Sequence, residues 1–159
     1  MQNPTQYEYK YRVGPATWQL SLANGLLSSK TGFAGKTIQQ GNITAFAIGS
    51  AYIKSQEIDR KTSPQNTPPG IAQLLVVYQD PEAMKKKLMR IGINTAHPHC
   101  KEALKSLHEK HRHLYIGSGN IFKISKELGF QQHWQKFLVL GIIIFTLISG
   151  FIAYFLESQ

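Results

Sequence analysis

The chain has 159 residues, 18 basic against 9 acidic, for a formal net charge of +9. That length allows one domain with a core of its own and scarcely two, and the charge favours anionic partners over cationic ones. A single cysteine, Cys100, excludes an intrachain disulfide and suits a reducing compartment.

Residues 1–6 are polar and are expected to be a loose N-terminus. From Tyr7 to Val13 the pattern alternates, with Tyr7, Tyr9, Tyr11 and Val13 on one side and Glu8, Lys10 and Arg12 on the other. Period two with aromatic enrichment predicts a half-buried strand. Gly14-Pro15 breaks it, and Thr17–Leu22 alternates again with Trp18, Leu20 and Leu22 inward. Asn24-Gly25 follows, a two-residue hairpin signal because both positions accept positive φ, and Leu26–Ser29 is the returning strand. Thr37–Gln39 and Ile43–Ile48 are read as short strands interrupted at Gly41-Asn42. Asp59–Gly70, with three prolines and no large apolar side chain, is read as a loop that buries too little to order itself.

Ile71–Tyr78, IAQLLVVY, is apolar but for Gln73, the pattern of a strand covered on both faces. Asp80-Pro81-Glu82-Ala83 turns the chain, and Lys85–Asn94 completes a predicted hairpin. A helix comes next. Pro98 fits its first position with His97 as cap, and Cys100, Ala103, Leu104, Leu107 and His111 recur at spacings of three and four. Asn120–Gly129 predicts a second, short helix capped by Asn120.

Phe137–Leu156 is twenty residues without a charge. As a helix it would reach roughly 30 Å, the thickness of a bilayer's hydrocarbon layer. A single transmembrane tail anchor is expected there, with 157–159 as its tail and 117–136 as a juxtamembrane linker and helix. The start of the chain has no apolar signal segment, and Lys123, Lys126 and Lys136 precede the span while Glu157 follows it. That distribution predicts a cytoplasmic N-terminal domain on a single-pass membrane protein.

Strands followed by one helix over residues 7–116 give a mainly β domain with a C-terminal capping helix. The phrases TWQLSLANGLLSS, GNITAFAIGS, LLVVYQD, KKKLMRIGIN and KEALKSLHEKH in that order resemble the pleckstrin-homology superfold, especially its small bacterial and GRAM-like members. The resemblance implies a bent sheet or half-open barrel whose helix plugs one end with Leu104 and Leu107. It also implies lipid or protein binding rather than catalysis. Phosphoinositide-binding members carry bases on both strands flanking the first loop. Here Lys10 and Arg12 stand on the first strand and TWQLSL on the second has none, which argues against inositol-phosphate recognition.

Lys85, Lys86, Lys87 and Arg90 are the densest positive group and the candidate binding face for an acidic protein or anionic lipid. A solvated hairpin end would look the same. His97, His99, Cys100, His108, His111 and His113 crowd one region, but the first three and the last three sit at opposite ends of a helix, so no metal site is expected. Gly32, Gly35, Lys36 and Thr37 lack the spacer and preceding strand of a phosphate-binding loop. No catalytic constellation, cofactor motif or nucleic-acid-binding pattern is present. The expected function is therefore a membrane-tethered, non-enzymatic adaptor. The alternative is a structural subunit of a membrane assembly such as a secretion or envelope complex.

Overall fold

The computed structural model describes residues 7–13, 16–31, 34–53, 57–130 and 144–145. The first four strands, β1 (Tyr7–Val13), β2 (Ala16–Ala23), β3 (Leu26–Thr31) and β4 (Ala34–Gln39), form an antiparallel meander in that order. Alternation in the sequence becomes alternation of faces. Tyr9, Leu20, Leu22, Leu27 and Ile38 are buried, and Leu22, Leu27 and Ile38 lie in one cross-strand row. The opposite face carries Glu8, Lys10, Gln19, Ser21, Ser28, Lys30 and Thr37. Asn24 and Gly25 have φ of 51° and 75°, as a tight hairpin turn requires, and Ala23 pairs with Leu26 across them.

A short 3-10 turn, Gln40–Asn42, carries the chain into a second sheet. This sheet contains β5 (Ile43–Ser50), β6 (Ile71–Asp80), β7 (Lys85–Asn94) and β8 (Tyr115–Asn120), in the order β7-β6-β5-β8. The first three are antiparallel neighbours, whereas β8 runs parallel to β5. A parallel partner needs a crossover, and helix α1 (Pro98–His111) provides it. Between the two sheets lies the main core, where Phe46, Ile48, Leu74, Val76, Met89, Ile91 and Ile93 meet the first sheet and α1 contributes Cys100, Ala103, Leu104 and Leu107. Full burial of Leu104 and Leu107 stabilises the docked helix by roughly 1.5–3 kcal/mol each.

β6 is apolar from Ile71 to Tyr78 except at Gln73, because both its faces are covered. Its outer side, with Leu75 and Ala47 of β5, is roofed by α2 (Ile121–Glu127) through Ile124. Asn120 starts α2 as expected, its side chain accepting a hydrogen bond from the Phe122 N–H at 3.1 Å. His97 occupies the cap position of α1 with extended backbone, but its side chain makes no capping hydrogen bond.

Three expectations change. The fold is mainly β with two helices, but its strands form two four-stranded sheets, and among the described residues no helix is long and apolar enough to cross a membrane, so the expected transmembrane helix is not part of it. The expected span Phe137–Leu156 lies outside the described residues except for Ile144 and Phe145, which are exposed. The tail anchor, the single-pass placement and the cytoplasmic orientation derived from it are accordingly withdrawn.

Second, the boundary expected at 116/117 falls inside β8, and residues 117–128 belong to the second sheet and its roof rather than to a linker. Gly117 at φ +129° lets the chain pass close to the Asp59 carbonyl, 2.5 Å from where a Cβ would stand, so no other residue fits this strand. Third, the Asp59–Gly70 loop is anchored. Asp59 and Ser118 exchange two backbone hydrogen bonds of 2.8 Å, and Pro64 and Thr67 are buried where the Pro64–Asn66 turn packs on α1. The loop has little apolar surface of its own. Its order comes from β8 and α1, which local composition does not reveal.

Candidate functional site

The expected basic group sits at the open end of the β6–β7 hairpin. Asp80 organises this tip. Its carboxylate accepts hydrogen bonds from the backbone N–H of Glu82 at 3.0 Å and of Ala83 at 3.4 Å, and its carbonyl accepts from Met84 N–H at 2.9 Å. Met84 turns the chain with φ of 50° and leaves its side chain exposed. Across the ladder Asp80 faces Lys85, Gln79 faces Lys86, Tyr78 faces Lys87 and Leu75 faces Arg90.

Strand alternation divides the four bases. Lys85 and Lys87 continue the face that buries Met89, Ile91 and Ile93, whereas Lys86 and Arg90 share the opposite face with Leu88. All four are exposed. Lys87 forms a charge-assisted hydrogen bond with the Asp80 carboxylate. That bond holds the carboxyl below its usual range, helped by the two turn amides, and holds the ammonium above its own. The sequence-predicted group is thus a continuous run of neighbours in the chain but two half-sets in space.

The tertiary structure adds residues that spacing does not indicate. Lys36, on β4 of the other sheet, places its Nζ 4.7 Å from the centre of the Tyr78 ring. Tyr78 is buried at 4% exposure, and its hydroxyl has no hydrogen-bond partner among the described residues. Tyr78 faces Lys87 across the ladder. The site is therefore a corner where the two sheets bring Lys36 and Lys87 to a buried tyrosine, with Lys85 two residues before Lys87 on the same face of β7. Asp80 is already engaged by Lys87. Such a corner attracts carboxylates or phosphates without offering a nucleophile or a proton relay.

Of the remaining candidates, Cys100, His97 and His108 serve packing, and His99 and His113 are exposed. Cys100 is fully buried on α1, and burial pushes its thiol up to about 12, far from a reactive thiolate. His97 meets the Tyr9 ring edge-on at 5.3 Å, and His108 meets Tyr115 likewise at 5.3 Å. His99 approaches Glu102 at 3.5 Å on the exposed side of α1. Burial lowers the proton affinity of His108 and His111, assisted by Arg112 at the first and by His113 and Lys110 at the second. His133 lies outside the described residues. Among the described residues no group of three His, Cys, Asp or Glu side chains could hold a metal ion. A wider depression of about 710 Å³ between residues 57–60 and α2 is lined by both signs of charge, and Arg60 and Glu127 pair across it at 2.6 Å.

No protein-family model, curated protein or solved structure matches this chain.

Proposed function

We propose that the protein is a non-enzymatic binding module whose basic corner, built from Lys36, Lys85 and Lys87 with Lys86 and Arg90 on the adjoining face, engages an acidic protein. The observation that carries this reading is that Lys36 of the first sheet lies over Tyr78, whose cross-strand neighbour is Lys87 of the basic hairpin end. The net charge of +9 supports it by drawing acidic partners at long range. Element order supports the resemblance to the pleckstrin-homology superfold: four strands, three strands, then a helix that sends Leu104 and Leu107 into the core. β8 and α2 lie outside that order.

The test is retention on immobilised polyglutamate at low and at physiological salt. Retention is expected to fall with salt, because exposed charges are screened over about 10 Å at 0.1 M. The double variant Lys36→Glu/Lys85→Glu is expected to lose it; Lys87 is left in place because Asp80 depends on it. Equal retention of variant and parent overturns the reading. Binding to phosphatidylserine vesicles but not to polyglutamate would assign the corner to lipid headgroups instead.

A further inference from the structure

The two sheets of this fold leave their strand edges in different states. The outer edge of β5 is filled by β8. The edge of β8 is met by Asp59, which bonds Ser118 in both directions. β7 is crossed by β2, whose Trp18 lies against Gly92, and Asn94 donates its backbone N–H to the Tyr9 hydroxyl at 2.8 Å. β1 is packed by α1. β4 is paired with β3, and among the described residues no further element makes more than marginal contact with it. Every β4 residue except Ile38 is exposed.

Hydrogen-bond parity shows what this edge offers. The Gln40 N–H donates to the Gly25 carbonyl at 2.7 Å, so Gln40, Ile38 and Lys36 turn their backbone groups toward β3. Gly35, Thr37 and Gln39 therefore turn theirs outward. The edge also carries positive charge on both faces. Lys36 lies on the inner side above Tyr78. On the outer side Gly35 has no side chain, leaving open the way to Lys30, whose Cγ is 3.9 Å from where a Cβ would be. A shallow depression of about 290 Å³ on the polar face, reaching from Gln19 and Ser21 of β2 past Ser28 and Lys30 of β3 to Gly35 and Thr37 of β4, adjoins this edge.

Unpaired edges are ordinarily protected by lysines that repel a second copy. The same lysines favour an added strand of opposite charge. We infer that β4 is a docking edge for an extended acidic segment of a partner protein, which joins the first sheet as a fifth strand. Outward amides and carbonyls of Gly35, Thr37 and Gln39 pair with its backbone, while its carboxylates reach Lys36 on one face and Lys30 on the other. This inference rests on the basic-corner reading and adds how the partner is held: backbone pairing fixes register, and charge selects the sequence.

The full chain is titrated calorimetrically with a ten-residue peptide alternating glutamate and valine, and with the same peptide N-methylated at every second amide. The methylated peptide keeps the charge but cannot extend a sheet. It is expected to bind at least tenfold more weakly. The variant Thr37→Pro removes an outward N–H without touching the β3–β4 ladder, a place where edge strands accept proline. It is expected to weaken the parent peptide to the same degree at an unchanged melting temperature. If both peptides bind alike and Thr37→Pro has no effect while Lys36→Glu/Lys85→Glu abolishes binding, strand addition is overturned and the basic corner survives. If none of the changes matters, both fall. If sedimentation shows a dimer that Thr37→Pro dissociates, the occupant is a second copy and the inference is overturned. The methylated peptide tests strand addition on the unaltered protein, so its result does not depend on how well the proline variant folds.

Discussion

The first sheet is apolar on one face and polar on the other, with Ser28 and Thr37 sharing an exposed hydrogen bond of 2.9 Å and β4 left, among the described residues, as a bare edge. The second sheet is apolar on both faces except at the basic end of β7, with the first sheet and α1 against one face and α2 against the other, and its β5 edge is closed by β8. Substituting the outer face of one sheet should therefore differ from substituting the outer face of its neighbour by more than the residues themselves suggest. Their roles differ accordingly. The second sheet serves the core except at its exposed β6–β7 hairpin end, while the first sheet, with a polar face and, among the described residues, an unpaired β4 edge, can meet a partner along its length.

The largest effect is expected where the second sheet is roofed. Leu75 is fully buried on the α2 side, so Leu75→Ala should cost about 2–5 kcal/mol in urea unfolding. A cost below about 0.5 kcal/mol would mean that α2 does not cover the sheet. Next is Gly92, where an added Cβ would stand 2.4 Å from the Trp18 ring. Gly92→Ala should cost about 1–3 kcal/mol by forcing the indole off β7, and the companion substitution Trp18→Leu should relieve part of that cost if the clash is its cause.

A pH series separates the two sheets at the α1–β8 junction. His108 and His111 have their proton affinity lowered in the fold, so the unfolded chain binds protons more tightly than the native one. Their contribution is fully present above the usual histidine value of 6.5 and is lost as pH falls below it toward the folded values. The urea midpoint should therefore drop between about pH 7 and pH 5. Replacing both residues with Gln should flatten that drop, and an unchanged slope would remove these histidines as its source. Cys100 provides a kinetic check on the same core: a thiol reagent at about pH 8 should modify it only as fast as the chain unfolds. The smallest effect is expected on the polar face, where Ser28→Ala should change stability by no more than about 0.5 kcal/mol.

Much of the first sheet was legible in the sequence because its one-sided burial writes a period of two into Tyr7–Val13 and Thr17–Leu22, and Asn24-Gly25 marks the turn between strands. The β6–β7 hairpin and α1 were legible for similar reasons: a doubly covered strand is apolar along nearly its whole length, and Pro98 and the spacing from Cys100 to Leu107 outline a helix. β8 was not legible. YIGSGN has two glycines and no alternation, and it is a strand because β5 and Asp59 supply its hydrogen bonds. The candidate site was half legible. Lys85, Lys86, Lys87 and Arg90 are neighbours in the chain, but nothing near Lys36 in sequence indicates that it lies over Tyr78.

Periodicity, turn chemistry and caps are relations between a residue and its near neighbours in the chain. The meander, the hairpin, the helix and the positive charge could be read from the amino-acid order for that reason. Which strands closed which edges, which lysine came to lie over Tyr78, and which edge the described residues leave unpaired depend on how two sheets pack across a shared core. Those contacts join residues far apart in the chain, so they became visible in the folded molecule alone.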